Sequence, residues 1–208
     1  MSCKVITVVD ERSRAFQLER SLSHFGWDFE IIRADWRGFG TKLNQVKEYL
    51  VNSDVEEFIF LDGYDTFCLN TYDNIKHIFE DKNSLISTEV NCWPDAERNK
   101  FFLHNDEEYK WKFPNSGTYY MKTWLFLELM NLSNTPNDCD DQRIMTDWVL
   151  NHNLNLDRKR EVFQTLCGIL PSDYRIEEKK VITELNTTPC FIHGNGKAYM
   201  EEFYKLIG

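Results

Sequence analysis

In the first part of the chain, short apolar runs rich in β-branched side chains alternate with longer segments whose apolar residues recur at helical spacing. The short runs predict strands over residues 3–9, 29–34, 57–61 and 85–88. The longer segments predict helices over residues 12–25, 41–50 and 72–79. Strands that alternate with helices are typical of βαβ units. The pattern therefore predicts an α/β fold with a mainly parallel central sheet flanked by helices.

The second half of the chain is less regular. Its pattern predicts a strand near residues 118–121, helices near 124–132 and 142–150, an apolar strand over 190–192 and a terminal helix over 198–206. No internal repeat, linker or compositionally biased segment separates these elements. We therefore expect residues 1–208 to form a single domain.

Charge and composition narrow the class of protein. The 208 residues include 24 Lys and Arg against 34 Asp and Glu, which gives a formal net charge of −10. This balance disfavours nucleic-acid binding, because phosphates are bound by cations that displace their counterions. An acidic surface instead attracts a cationic peptide, or a divalent cation that recruits an anionic small molecule. The six cysteines show no CxxC pair or zinc-ligand spacing, so we expect reduced thiols.

The sequence shows no clear targeting signal. No window approaches the roughly 18 apolar residues of a membrane-spanning helix, so we predict no membrane insertion. The first residues lack the pattern of a cleaved signal peptide, which predicts a cytoplasmic location for the chain as given. The secretory-pathway lumen is the alternative, for a domain cut from a longer protein. The oligomeric state has no signal in the sequence.

The first candidate site follows the predicted strand at 57–61, since parallel sheets bind ligands beyond the carboxyl ends of their strands. Asp62 and Asp65 come directly after this strand, and two carboxylates at this spacing can hold a divalent cation. Tyr64 lies between them and can pack against a flat ligand. Asp-Gly is also a favoured turn dipeptide, so an ordinary turn is the alternative interpretation.

A second candidate lies where the predicted strand at 190–192 ends. His193 leaves this strand and is followed by Gly194, Asn195, Gly196 and Lys197. The imidazole can ligate a metal, while backbone amides and the Lys197 ammonium can bind phosphate. The alternative is a core histidine whose hydrogen bonds are satisfied within the protein.

An acidic cluster of Asp138, Asp140 and Asp141 precedes the predicted helix at 142–150. Acidic residues at a helix N-terminus are stabilised by the helix dipole and need no further role. The same charges can also bind a cationic substrate or supply a catalytic carboxylate.

Two tryptophans are weaker candidates. Trp36 follows the second predicted strand and precedes Gly38, Gly40 and Lys42, which suits a site for a base and a phosphate but also suits a plain loop. Trp93 suits either the rim of a site or ordinary packing.

Taken in chain order, seven segments resemble one family, the N-terminal glycosyltransferase domain of the multifunctional procollagen lysyl hydroxylases. The segments are Trp36-Arg37-Gly38, Phe60-Leu61-Asp62-Gly63-Tyr64-Asp65, Glu89-Val90-Asn91-Cys92-Trp93-Pro94, Asn115-Ser116-Gly117, Asp140-Asp141-Gln142, Leu154-Asn155-Leu156-Asp157 with Phe163-Gln164, and His193-Gly194-Asn195-Gly196. Each segment is short, but together they span nearly the whole chain in the same order.

The resemblance implies a GT-A-like, Rossmann-type fold. It also implies an enzyme that uses Mn²⁺ and a UDP-sugar, either UDP-glucose or UDP-galactose, to glycosylate hydroxylysine or galactosyl-hydroxylysine of collagen-like acceptors. As a UDP-sugar reacts, negative charge develops on the departing diphosphate, and a cation held by two carboxylates and an imidazole stabilises it.

The resemblance further assigns a role to each matching position. Asp62, Asp65 and His193 are the implied Mn²⁺ ligands, and Trp36 and Tyr64 the implied uridine contacts. The implied positions on the diphosphate side are Lys42, Gly196 and Lys197, and Asn195 is a further implied donor-binding position. Asp140 and Asp141 are the implied catalytic pair near the sugar and acceptor, and Trp93 and Asn115 the implied acceptor positions.

Two rival functions are compatible with the same segments. One is a catalytically silent glycosyltransferase-like domain, which loss of metal ligands would mark, whereas Asp62, Asp65 and His193 are all present. The other is a carboxylate-metal phosphohydrolase, for which no phosphoryl nucleophile is visible beyond Asp62. The choice between glucose and galactose depends on the orientation of one hydroxyl, and the sequence leaves it open.

Overall fold

A computed structural model describes residues 3–102 and 109–207. Within these ranges the strands are β1 (Lys4–Val9), β2 (Phe29–Arg33), β3 (Glu57–Leu61), β4 (Thr66–Cys68), β5 (Ser84–Glu89), β6 (Phe113–Lys122), β7 (Phe163–Thr165), β8 (Tyr174–Glu177), β9 (Lys180–Thr183) and β10 (Phe191–His193). The α-helices are α1 (Phe16–His24), α2 (Gly40–Val51), α3 (Tyr72–Ile75), α4 (Thr123–Leu132), α5 (Asp141–His152) and α6 (Glu201–Tyr204). Short 3₁₀ turns cover Arg12–Ala15, Lys76–Ile78, Ala96–Phe101, Pro171–Asp173 and Asn195–Lys197.

The central sheet has five strands in the order β2-β1-β3-β6-β5. β1 pairs in parallel with both β2 and β3, whereas β6 pairs antiparallel with both β3 and β5. Because β6 is reversed relative to both of its neighbours, β5 points in the same direction as β3. Four of the five strands therefore share one direction, which confirms the mainly parallel central sheet.

A smaller three-stranded sheet has the order β4-β10-β7, with β10 antiparallel to β4 and parallel to β7. Its register places His193 of β10 opposite Thr66 of β4. The backbone N–H of Gly194 donates to the carbonyl oxygen of Asp65 at 2.7 Å and extends this pairing by one step. The smaller sheet thus brings the end of the chain beside the segment that follows β3.

Apolar side chains cover both faces of the central sheet. One face packs against α2, α4 and α5, with Val46, Phe126 and Trp148 in a continuous buried cluster. The other face packs against α1 through a second cluster that includes Leu18 and Leu22. The two clusters hold the strands rigidly, so the loops at their ends are presented on a fixed frame.

The structure agrees with the predicted elements as far as β3 and departs from several later ones. The helix predicted over 72–79 is a short α3 followed by the 3₁₀ turn Lys76–Ile78. The predicted helix at 198–206 is wrong in length, because α6 spans only Glu201–Tyr204. The predicted strand near 118–121 is longer than expected, since β6 covers Phe113–Lys122. The short strands β4, β7, β8 and β9 have no counterpart in the prediction. Among the described residues, no helix has both the length and the apolar character that crossing a membrane requires.

Phe126 is the aromatic centre of the first buried cluster. Its ring lies 5.3 Å from that of Phe58 and 5.9 Å from that of Trp148, measured between centroids. We expect Phe126→Ala to lower the free energy of unfolding by about 3–5 kcal/mol, because it removes a fully buried ring and leaves a cavity. Urea unfolding followed by circular dichroism measures the change.

The matched control is Leu132→Ala on the same helix, where the side chain is 67% exposed. We expect this variant to stay within about 0.5 kcal/mol of the parent chain. Equal losses in the two variants would contradict the proposed packing of α4.

Candidate active site

Three side chains with metal-ligating atoms meet where β3, β4 and β10 approach one another. Asp62 follows β3 and is held there by its backbone N–H, which donates to the Gly117 carbonyl at 2.7 Å. Asp65 directly precedes β4, and His193 is the last residue of β10. The ligand atoms of Asp62, Asp65 and His193 all lie within 4.8 Å of one another. The sequence predicts these three residues as metal ligands, and the fold brings them together.

The distances leave room for an ion between the three groups. His193 Nε2 lies 3.7 Å from Asp62 Oδ2 and 3.5 Å from Asp65 Oδ1. These separations exceed those of a good hydrogen bond. An ion centred among them would replace repulsion between the two carboxylates with attraction to both.

The ionisation of each group depends on the others. Burial would lower the pKa of His193, but the carboxylates of Asp65 and Asp62 outweigh burial and raise it. Burial would raise the pKa of Asp65, but His193 outweighs burial and holds it below its usual value. For Asp62, burial dominates and the pKa is raised despite the nearby Lys42. The cluster is therefore an electrostatically coupled unit.

The residues present fit a divalent cation. Two carboxylates and one imidazole form a mostly oxygen donor set, which suits Mn²⁺ better than structural zinc. Gly117 on β6 supplies the space. A Cβ atom at this position would overlap His193 Cε1 and lie 2.6 Å from Asp62 Oδ2. The glycine thus allows both side chains to approach the same point.

Lys42 on α2 connects this cluster to the start of α5. Its ammonium lies 2.7 Å from Asp62 Oδ1 and 2.7 Å from Asp141 Oδ2. Burial would lower the pKa of Lys42, but the carboxylates of Asp141 and Asp62 outweigh burial and raise it, so the ammonium stays charged. Lys42 therefore joins a predicted metal ligand to a predicted catalytic carboxylate.

A cavity of about 510 Å³ opens beside the three candidate ligands. Its volume falls within the range of small-molecule sites. Its walls include the following residues for which sequence analysis predicted a role: Lys42, Asp62, Asp65, Trp93, Asn115, Asp140, Asp141, His193, Asn195 and Gly196. They also include the following residues for which it predicted none: Phe39, Glu89, Asn91, Ser116, Gly117, Gln142 and Cys167.

A second cavity of about 310 Å³ shares Phe39, Lys42, Asp62 and Asp65 with the first. Its remaining walls include Val8, Asp10, Arg14, Trp36 and Tyr64. The predicted metal ligands Asp62 and Asp65 thus border both cavities. Lys197, predicted to bind the diphosphate, lines neither of these two cavities.

Tyr64 is fixed in the second cavity. Its hydroxyl accepts hydrogen bonds from the backbone N–H groups of Asp10 and Glu11, at 3.0 and 3.1 Å, and also contacts the Asp10 carboxylate. The Arg14 guanidinium lies 3.9 Å from the centroid of the Tyr64 ring. Trp36, which also lines this cavity, is 41% exposed. This cavity therefore presents aromatic surface of the kind that suits a flat ligand.

A clamp of charged groups ties the segment that contains Trp93, a residue of the first cavity wall, to α5. The side chain of Arg143 on α5 binds the Asp95 carboxylate bidentately, with Nε 2.9 Å from Oδ2 and Nη2 2.8 Å from Oδ1. The backbone N–H of Arg143 donates to Asp140, the N-cap of the helix, at 3.0 Å. Trp93, which is 67% exposed, is therefore held near the predicted catalytic carboxylates Asp140 and Asp141.

Two functional candidates were missed by the sequence analysis. Glu89 is buried at the end of β5, and burial raises its pKa. Gln142 accepts a hydrogen bond from the Ser116 backbone at 2.8 Å and donates to the Pro114 carbonyl, which fixes α5 against β6. An acidic residue at the end of an apolar strand is a signal that could have revealed Glu89. The role of Gln142 depends on a contact between distant segments and has no such signal.

The fold and the site together define a class. The structure is similar to that of the galactosyltransferase LgtC, which was solved in complex with donor and acceptor sugar analogues. The match covers 99% of this chain and 95% of the LgtC chain, with a TM-score of 0.54 and 12% sequence identity. A glycosyltransferase involved in the glycosylation of the major capsid of PBCV-1 matches 99% of both chains, with a TM-score of 0.51 and 14% identity. The architecture is that of the GT-A glycosyltransferases.

Comparison of the sequence with known families identifies the family of this chain. The model of the PLOD GT domain matches residues 2–205, and the chain belongs to this family. A protein of Acanthamoeba polyphaga mimivirus is 28% identical over 171 residues, covering 77% of this chain and 36% of the relative. The human multifunctional procollagen lysine hydroxylase and glycosyltransferase LH3 is 25% identical over 229 residues, covering 96% of this chain and 30% of the relative. The chain thus spans only about a third of the length of these curated relatives.

Removal of the Lys42 charge tests the link between the two carboxylates. We expect Lys42→Met to lower the free energy of unfolding by about 3 kcal/mol, because it leaves two poorly hydrated carboxylates without their cation. Mn²⁺ should restore more stability to this variant than to the parent chain, since the added ion replaces the lost charge. Thermal unfolding with and without Mn²⁺ measures both effects.

Lys47→Met provides the control on the same helix, where the ammonium donates to the Asn131 side chain in an exposed pair. We expect a change within about 0.5 kcal/mol and no altered response to Mn²⁺. If both variants lost the same stability, the bridging role of Lys42 would be wrong.

Proposed function

We propose that this protein is a Mn²⁺-dependent hexosyltransferase that transfers glucose or galactose from a UDP-sugar to collagen-like acceptors. The accepting group is the hydroxyl of hydroxylysine, or the sugar of galactosyl-hydroxylysine. We also propose that residues 1–208 act as one glycosyltransferase domain. The PLOD GT family match over residues 2–205 and the likeness to LH3 support the donor and acceptor classes.

One observation carries the proposal. Asp62, Asp65 and His193, from segments far apart in sequence, place their ligand atoms within 4.8 Å of one another at the border of a large cavity. Two carboxylates that lie this close together are costly to bury unless a cation binds between them. In a GT-A architecture, a nucleotide-sugar donor needs a cation at such a place.

In this proposal, different parts of the UDP-sugar bind in the two cavities. The uridine occupies the smaller cavity against Tyr64 and Trp36, and the sugar enters the larger one beside Asp141 and Asn195. Bound among the three ligands, Mn²⁺ would stabilise the charge that develops on the departing diphosphate. Lys42 adds a fixed positive charge at the junction of the two cavities, although its ammonium is bound to Asp62 and Asp141.

The acceptor side is acidic. Asp140 and Asp141 line the larger cavity, and Trp93 stands exposed beside them. A formal net charge of −10 favours the approach of a basic polypeptide. We propose that Asp140 and Asp141 orient the acceptor hydroxyl and that Trp93 covers the acceptor.

A catalytically silent domain is the rival function. A silent domain has no need for the coupled carboxylates and imidazole, and the donor set here is complete and close together. We therefore favour the active enzyme.

The direct test is UDP release. Purified protein with Mn²⁺, a hydroxylysine peptide and either UDP-glucose or UDP-galactose should release UDP with at least one donor. We expect Asp65→Asn, which keeps the shape of the side chain but removes a charged ligand, to lower turnover by at least about a hundredfold. The chelator EDTA should abolish turnover, and added Mn²⁺ should restore it.

The control variant is Asp73→Asn, which removes an exposed carboxylate paired with Lys76 outside both cavities. Turnover of this variant should equal that of the parent chain. Equal turnover of Asp65→Asn and the parent would refute the metal site, and no UDP release with any hexose donor would favour the silent domain.

The acceptor side is tested at Asp95, which holds the Trp93 segment against α5 through Arg143. We expect Asp95→Asn to raise the acceptor KM about fivefold, because the ion pairs of Asp95 with Arg143 and Arg98 are weakened and the segment loosens. Hydrolysis of the UDP-sugar without acceptor should not change. Asp28→Asn, which breaks the surface pair with Lys4, should change neither quantity. An unchanged acceptor KM in Asp95→Asn would mean that the clamp has no role in acceptor binding.

A further inference from the structure

Asn115 on β6 has hydrogen-bond partners at both ends of its buried side-chain amide. Its Oδ1 accepts from the Gly117 backbone N–H at 3.0 Å and lies 3.1 Å from His193 Nδ1. Its Nδ2 donates to Glu89 Oε1 at 2.9 Å. Asn115 is only 6% exposed, so water has little access to replace these bonds.

These partners fix which end of the amide faces the imidazole. A backbone N–H can only donate, so the atom that faces Gly117 must be the oxygen. Glu89 reinforces this orientation from the other end. Its second oxygen accepts from Asn195 Nδ2 at 3.3 Å, while Asn195 Oδ1 accepts the backbone N–H groups of Leu166 and Cys167. Glu89 thus lies between two oriented amides.

An oxygen that faces His193 Nδ1 decides where the proton of the neutral imidazole resides. Nδ1 must carry the proton in order to donate to Asn115, and Nε2 is then left with its lone pair. Nε2 is the atom that faces Asp62 and Asp65. Without Asn115, these two carboxylates would attract the proton to Nε2 and block the metal-binding position.

We propose that Asn115, oriented by the Gly117 backbone and Glu89, is a positioning residue that keeps the His193 proton on Nδ1 and reserves Nε2 for a metal ion. Hydrogen-bond partners that fix the tautomer of a ligating histidine tune metal affinity. This inference rests on the proposed metal site. It gives Asn115 and Glu89 a role that differs from contact with the acceptor.

The test reads the tautomer directly. Long-range ¹H–¹⁵N correlation spectra are recorded on metal-free protein, in alkaline buffer in which the imidazole is neutral, with His193→Asn used to assign the signals. We expect the parent chain to carry the proton on Nδ1. A parent spectrum with the proton on Nε2 would overturn the proposal without any Asn115 variant.

Two substitutions separate the roles of Asn115. Asn115→Leu removes the acceptor, and we expect the Nε2–H tautomer to become the major form and Mn²⁺ affinity to fall at least about tenfold. Asn115→Asp, made together with Glu89→Gln so that the side chains at these two positions can still hydrogen-bond, keeps acceptor oxygens toward Gly117 and His193, and we expect the Nδ1–H tautomer to persist. Circular dichroism checks the fold of each variant, and Mn²⁺ binding is followed by electron paramagnetic resonance.

Asn91→Leu is the matched control, because Asn91 lines the same cavity and contacts Cys167 rather than His193. This variant should keep the parent tautomer. If Asn115→Leu kept both the tautomer and the Mn²⁺ affinity while the acceptor KM rose, Asn115 would be an acceptor contact and the proposal would be wrong. Because the spectra need neither donor nor acceptor, a failure of UDP release would leave the tautomer result intact.

Discussion

The site depends on one strand pairing, the antiparallel contact of β4 with β10. The register that sets His193 opposite Thr66 places the imidazole beside Asp65, and the bond from Gly194 to the Asp65 carbonyl prevents a slip of the pairing. A shift of one residue would turn the imidazole to the other face of the small sheet. Two residues in the first third of the chain and one near its end thereby meet at one site.

Charge balance is the second constraint on the cavity. Asp62 and Asp141 approach the same ammonium from two different elements, and Lys42 is almost fully buried between them. Such a link costs desolvation energy, and it is stabilising only because both carboxylates satisfy the ammonium at short distance. Lys42 also couples the charge of the candidate metal site to that of the start of α5. A change of charge at Asp62 therefore alters the electrostatic environment of Asp141.

Hydrogen bonds in the cavity also fix the positions of residues that are not themselves candidate metal ligands or catalytic carboxylates. Gly117 makes room for an imidazole and a carboxylate, and its backbone N–H also sets the orientation of the Asn115 amide. Glu89 and Asn195 continue the same network on the other side. Side chains whose bonds are all used within the protein hold their positions at little further entropic cost, which is what a pre-organised site requires.

The sequence alone determined the α/β class, the frame of the first five predicted elements and the candidate ligands Asp62, Asp65 and His193, because local periodicity and side-chain chemistry are properties of short segments. It did not determine the three-residue strands β4 and β7, which are too short to show a period and exist only because β10 lies between them. The reversed direction of β6 was likewise decided by pairing with distant strands. The amide orientation of Asn115 and the link made by Lys42 needed the folded chain, since hydrogen bonds and ion pairs between remote residues depend on distances that no local pattern encodes.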